Sequence, residues 1–253
     1  VATEGTETLW RRALIQRQNG NHQAATEALA QIARVEPSAK VFAAMAREFR
    51  DLDDIPSAYW SYRSALECSE SDIDALSGLA TLHGEQERYD DAVLVYFNVL
   101  KHHPQNVEGL VNLGNALARV DRHDEAEACY YGALRVGKTS PHRARIYYNL
   151  ARSHAYAGRT DEAIHMLICS GHVNGEYAMR ACLDDAFEDA RVSPEFTKVL
   201  EFGERPLYKH IYGFVDRGQV DELREMFRQN PYLVTVVRTR PVFARFAEFL
   251  PRA

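Results

Sequence analysis

The chain reads as an all-α solenoid built from stacked helix–turn–helix units, and three observations carry that reading. Landmarks recur on one beat: Leu113-Gly114 falls 34 residues after Leu79-Ala80, Ala126 falls 34 after Ala92, and Tyr130 falls 34 after Tyr96. Small residues stand at Ala25, Ala58, Ala92, Ala126 and Ala163, separated by 33, 34, 34 and 37. Another small residue lies twelve positions before each of these, at Ala13, Ala46, Ala80, Gly114 and Ala151. Small side chains at such sites let two helices approach closely, where a larger one would wedge them apart. A lone helical hairpin cannot cover its own apolar face, so units of this kind stack and bury it between neighbours.

Composition agrees with a folded chain. The 253 residues are 46% hydrophobic and 26% charged, with a net charge of −6. A general nucleic-acid binder would carry a basic excess, so that class is set aside. Cys68, Cys129, Cys169 and Cys182 are widely spaced and form no CxxC, which fits reduced thiols in a cytosolic-type compartment. No run of about 18 apolar residues predicts a membrane span. The chain opens on Val1-Ala2 without a methionine and shows no signal peptide, so a leader could already have been removed.

Each element follows from local chemistry. Turns are expected at Gln18–Asn21, Asp51–Asp54, His83-Gly84-Glu85, Val120-Asp121-Arg122 and Ala157-Gly158-Arg159, because Gly, Asn and Asp tolerate the left-handed backbone that ends a helix. Asp90, Asp124 and Asp161 then stand near the start of the next helix, where unpaired N–H groups favour an acid. Pro37 and Pro104 close two units, since proline cannot continue a helix. Lys138-Thr139-Ser140-Pro141 accounts for the longer interval before Ala163 as a loop insertion.

With these landmarks, residues 6–173 resemble five tetratricopeptide repeats. Leu79, Leu113 and Leu150 match the family's leucine before the first small residue. Leu29, Tyr62, Tyr96, Tyr130 and Leu167 match its large residue in the second helix. Phe42, Leu76, Leu110 and Tyr147 replace its tryptophan, and in the first unit Arg12 holds the leucine position, as in an end cap. The resemblance implies a right-handed superhelix of bacterial type with a helical C-terminal cap at residues 174–253.

Within that cap a helix is expected at Tyr177–Leu183, a helix start at Ser193-Pro194-Glu195-Phe196, and a degenerate hairpin from Leu207–Val215 and Val220–Phe227 around Gly218. Tyr232–Arg240 is β-rich and reads as a loop or short strand. Pro241–Leu250 reads as an amphipathic helix with Val242, Phe243, Phe246 and Leu250 on one side.

In stacked hairpins the first helices line a concave side. Their second, fifth, sixth, ninth and twelfth positions carry seven basic residues (Arg11, Arg17, Lys40, Arg47, Arg50, Arg145, Arg152) and three acidic ones (Glu7, Asp74, Glu108), a local +4 in a chain of −6. A groove of that sign attracts acidic ligands, and arginine binds carboxylates in bidentate fashion; the alternative is a set of solvated helix faces. Asn112, Asn115 and Asn149 add amides able to pair with any peptide backbone. They resemble the asparagine ladder of O-linked N-acetylglucosamine transferases, although hydrogen bonding at helix ends or between units would also explain them. Of the family's carboxylate clamp only Asn112 and Arg145 are kept. Ser77 and Thr81 stand where a lysine and an asparagine are needed, and Asn149 where an arginine is.

The sequence carries no nucleophile motif, HExxH, P-loop or GxGxxG. His165, Cys169 and His172 lack a fourth ligand, so neither metal nor cofactor is expected. The expected function is a non-catalytic, cytoplasmic scaffold or adaptor that binds an extended, acidic peptide through Arg47, Arg50, Asn112, Asn115, Arg145, Tyr148, Asn149 and Arg152. Two alternatives remain: the recruiting or regulatory segment of a larger enzyme such as a glycosyltransferase, and a self-assembly module forming a homo-oligomer.

Overall fold

A computed structural model describes residues 5–138 and 142–251, and every regular element among them is helical. Thr139–Pro141, three of the four residues of the expected insertion, lie outside the described residues. The chain divides into two compact units, Val1–Cys129 and Tyr130–Ala253.

The first unit holds α1 (Thr6–Gln18), α2 (His22–Val35), α3 (Ala39–Asp51), α4 (Ile55–Cys68), α5 (Ile73–Glu85), α6 (Tyr89–His102), α7 (Val107–Arg119) and the start of α8 (His123–Val136). Consecutive helices pack as hairpins: α1 on α2, α3 on α4, α5 on α6. The small residues of the repeat do what their spacing predicts. Ala25, Ala46, Ala58, Ala80, Ala92 and Ala126 have no exposed surface. The large residues beside them, Leu29, Tyr62 and Tyr96, are 5% exposed or less. Tyr62 shows how tight the fit is, since a Cβ added to Gly78 of α5 would stand 2.3 Å from its ring. Only glycine leaves room for that ring.

Helix starts are capped by short polar side chains. Asn21, Asp54 and Asp72 accept the backbone N–H of Ala24, Ser57 and Ala75 at 3.2, 3.2 and 2.8 Å, and Asn106 caps Gly109 in the same way. The third turn differs from expectation. Gly84 lies inside α5, and the left-handed residue is Glu87 (φ 56°). Gly20, Asp53 and Asp121 occupy the same place in their hairpins, with φ of 73°, 60° and 58°. The packing period therefore decides where the chain turns, and glycine's local preference gives way to it.

The second unit continues with the rest of α8, then α9 (Arg143–Tyr156), α10 (Thr160–Val173), α11 (Gly175–Ala181), a 3-10 turn at Asp185–Phe187, α12 (Glu188–Arg191), α13 (Phe196–Asp216), α14 (Val220–Gln229), α15 (Pro231–Thr239) and a 3-10 helix at Pro241–Phe249. One apolar core runs through it, from Tyr148, Ala151 and Leu167 to Phe196, Leu223, Phe243 and Phe246. At its centre α11 and α13 touch backbone to side: a Cβ on Gly203 would lie 3.0 Å from the main chain of Ala178 and Met179.

Three expectations are corrected here. The β-rich segment is helical, as α15, because Leu233, Val236 and Val237 are buried at helical spacing with Pro231 in the first turn and no strand beside them to pair with. The two segments expected at Ser193 and Leu207 form the single helix α13, which runs through Pro206. A proline there costs about 3 kcal/mol, offset by a buried stripe of Phe196, Val199, Leu200, Leu207 and Ile211. The last helix is 3-10, so its side chains eclipse every third residue: Phe243 and Phe246 are buried while Val242 is 48% exposed.

Candidate functional site

In the first unit the first-helix positions singled out above meet a cleft of about 320 Å³, between α5, α6 and α7. Its walls are small: Ala80, Gly84, Ala92 and Ala116. Its polar groups come from three helices. Asn112 and Asn115 lie three apart on α7 and so share a face. Thr81 of α5 donates to the Ser77 carbonyl at 2.8 Å and shares a 3.2 Å hydrogen bond with the Tyr96 hydroxyl of α6. Burial pushes the Tyr96 phenol up, and its hydrogen bonds to Thr81 and Asn112 partly offset this. Glu85 and Arg119 flank the opening, where Arg119 donates to the Tyr89 hydroxyl at 2.9 Å and lies 4.8 Å over its ring. The cleft thus carries one amide side, one hydroxyl pair and two opposite charges, groups that donate and accept hydrogen bonds.

Arg47 and Arg50 lie on α3 of the same unit, both half-buried. Arg47 pairs loosely with Asp74 at 3.7 Å, and its Nε is buried without a hydrogen-bond partner. Both guanidiniums act on the buried Tyr62 phenol, whose pKa burial raises and their charge lowers. Neither arginine lines the cleft.

In the second unit, Arg145, Tyr148, Asn149 and Arg152 stand on α9. Tyr148 is corrected: it was expected to face a ligand and is 8% exposed. Its hydroxyl donates to Asp184 Oδ2 at 2.7 Å, and its ring meets Tyr177 and Phe187 at 5.4 and 5.6 Å. Burial, then the bond to Asp184, pushes the phenol far up. The same register buries Ala43 and Val111 completely. In α3, α7 and α9 the fifth position is thus a packing position, whereas Trp10 and Ser77 at the same register are half-buried. Arg152 Nε lies 3.3 Å from the same Asp184 oxygen but is not aligned to donate to it, so that contact is coulombic. Arg145 has both Nε and Nη2 buried without a hydrogen-bond partner.

Sequence reasoning missed Asp184, Tyr89 and Arg119. Asp184 pairs with Tyr148 across 36 positions, and no period links the two. Tyr96 and Thr81 were visible singly, as a core residue and a first-helix residue, but not as a bonded pair.

The histidines hold other posts. His165 Nε2 is 4.0 Å from Cys169 Sγ, while the His172 ring lies tilted against Phe202 with centroids 4.4 Å apart. Among the described residues one trio has metal-ligand spacing: His22 with Glu48 at 2.8 Å and Asp51 at 3.7 Å. Arg17 stands 3.4 Å from the buried Glu48 and already supplies a cation. Burial pushes Cys129 up to about 11 and Cys182 up to about 12, so both thiols stay protonated and unreactive at neutral pH. No helix among the described residues is long and apolar enough to cross a membrane.

Comparison with known proteins agrees with this architecture. The tetratricopeptide repeat family model matches residues 107–170. Among solved structures, MamA is similar at 15% identity and a TM-score of 0.59, covering 68% of this chain and 93% of its own. MamA 41-end from Desulfovibrio magneticus RS-1 gives 15% and 0.60, covering 68% and 97%. YrrB, described as a TPR protein with an unusual peptide-binding site, gives 17% and 0.56, covering 68% and 88%. No curated protein matches by sequence. At these identities the likeness is one of fold. The match identifies residues 107–170 as tetratricopeptide-repeat sequence, and the buried small-residue ladders and the similar structures agree with an all-α helical-repeat solenoid.

Proposed function

We propose that the chain is a non-catalytic scaffold or adaptor that takes an extended, acidic peptide segment of a partner protein. In this reading residues 6–173 form five repeats and residues 174–253 close the array. The observation that carries it is the cleft of the first unit, where Asn112, Asn115, Thr81 and Tyr96 present donors and acceptors between walls of alanine and glycine. Amides read the main chain of an extended segment whatever its sequence. Arg47 and Arg50 in the first unit, and separately Arg145 and Arg152 in the second, add positive charge that favours acidic side chains. The reading gains weight from YrrB, a structural neighbour described as having a peptide-binding site.

The test is a panel of peptides of graded charge, with affinities measured for the wild type, Asn112→Ala/Asn115→Ala and Arg145→Glu/Arg152→Glu. The amide pair is expected to contribute about 2 kcal/mol, or roughly thirtyfold in Kd. The charge reversal is expected to abolish the preference for acidic peptides. Unchanged affinity in both variants rejects the reading.

Self-association is a second reading, favoured by one feature of the first unit. Trp60, Leu94 and Phe97 are 67%, 68% and 46% exposed on second helices, apolar surface that a second copy could cover. Sedimentation over a concentration series distinguishes it: a Trp60→Ser/Leu94→Ser variant should stay monomeric where the wild type does not.

A further inference from the structure

Arg145 and Arg152 are seven residues apart on α9, two turns, and so look the same way with Asn149 between them. Their guanidiniums differ in what they meet. Arg152 faces the Asp184 carboxylate at 3.3 Å, and Tyr148, on the same helix, donates to that carboxylate at 2.7 Å. Arg145, half-buried, has two nitrogens that are buried without a hydrogen-bond partner. N–H groups of a guanidinium left unpaired in this way are donors available to an anion. An arginine and a tyrosine hydroxyl converging on one carboxylate oxygen are also the contacts an incoming acidic side chain would make. The carboxylate already there is delivered by the turn after α11. It is held in place because Asp184 Oδ1 accepts the Ala186 N–H at 3.0 Å and the Asp184 carbonyl accepts from Arg191 at 3.3 Å.

We propose that α9 carries an anion-binding site, half occupied by an internal ligand, Asp184, and that an acidic partner segment binds it with one carboxylate on Arg145 and another displacing Asp184 from Arg152. The idea rests on the acidic-peptide reading and adds its regulation. Because Asp184 is tethered, its effective concentration at Arg152 is high, of the order of millimolar. Weak acidic segments are therefore excluded, and only those that also engage Arg145 succeed. Asp184 acts as a threshold on affinity.

The experiment uses the full chain and an oligoglutamate peptide as probe, with binding read by fluorescence anisotropy at several salt concentrations. Asp184→Asn removes the competing charge while its side-chain oxygen still accepts from Tyr148 and from Ala186. Asp184→Ser serves the same purpose should the asparagine variant fail to fold, since serine also caps a turn. Asp184→Glu keeps the charge and is the control.

Uncharged variants should bind the probe about tenfold more tightly than the wild type, within the range of ordinary coupling between sites, with a steeper salt dependence. Adding Arg152→Gln to Asp184→Asn should erase that gain. Equal binding by the wild type and the uncharged variants, undetectable binding by all of them included, overturns the inference. So does a gain that survives Arg152→Gln. Failure of the scaffold reading looks different: the Asn112 and Arg145/Arg152 variants would leave partner peptides unaffected, whereas the gain on losing Asp184 would still be measured with the probe.

Discussion

The cleft of the first unit and the α9 face of the second are made of the same parts and end in different states. Both pair a tyrosine hydroxyl with a polar partner, and both carry an asparagine at the sixth position of a first helix, Asn112 and Asn149. In the first unit Tyr96 meets another neutral group, Thr81, and the space above stays open at about 320 Å³. In the second, Tyr148 meets a charged one, Asp184, which comes from the segment following α11 and also lies beside Arg152. The repeat sets up a polar first-helix face each time. What the next stretch of chain brings decides whether that face is open or already engaged.

Substitutions can break or sharpen this contrast. The largest effect is expected at Gly78. A valine there drives its Cβ into the Tyr62 ring and should cost about 3 kcal/mol, read as a lowered denaturation midpoint. Gly84, six residues on and also in α5, has open space around its Cβ position, so Gly84→Ala should instead stabilise by about 1 kcal/mol. Equal responses would show that α5 is not packed as described.

Next comes the tyrosine pair. Tyr148→Phe breaks a bond to a carboxylate and should cost about 2 kcal/mol, while Tyr96→Phe breaks a neutral one and should cost about 1 kcal/mol. Reversal of that order in urea melts would remove the distinction between the two sites.

A smaller effect concerns pH. Burial, with help from Arg88, holds the His83 imidazole below its usual value of 6.5. The unfolded chain then takes up a proton before the folded one does. Stability contributed by neutral His83 is present above pH 6.5 and falls as pH drops through that value toward the lower folded one. His210 in the second unit is depressed by desolvation first, with Arg217 assisting, but its side chain is exposed to solvent, which weakens the effect. His83→Gln should flatten the acid limb of the stability profile, and His210→Gln should do so less. A profile unchanged by His83→Gln contradicts the burial of that ring.

Smallest is Glu87, held at φ 56°. Glu87→Gly should stabilise by about 0.5–1 kcal/mol, since glycine takes that conformation freely. A loss would mean that the Glu87 side chain makes a contact worth more than the backbone strain.

Much of this molecule is legible in one dimension, because its main rule is local. A 34-residue beat of small and large side chains specifies hairpins: Ala58, Ala92 and Ala126 are fully buried where the beat puts them, and Asn21, Asp54 and Asp72 cap helices as their chemistry suggests. Asn112 and Asn115 could be named as site residues because first-helix positions repeat with the same beat. Where the beat stops, so does the legibility. Helix α15 reads in sequence as a loop or short strand because its residues favour β and the packing that buries one helical face is not visible there, and α13 continues through Pro206 because its buried stripe outweighs a local defect. Tyr148 was misplaced because only packing reveals that the fifth position of α9 points at the adjoining element. Asp184 carried no local signal, since its contact with Tyr148 spans 36 residues and depends on where the chain beyond α11 folds back. Periodic contacts between neighbours in sequence are encoded in spacing; contacts between distant segments exist only once the chain has closed on itself.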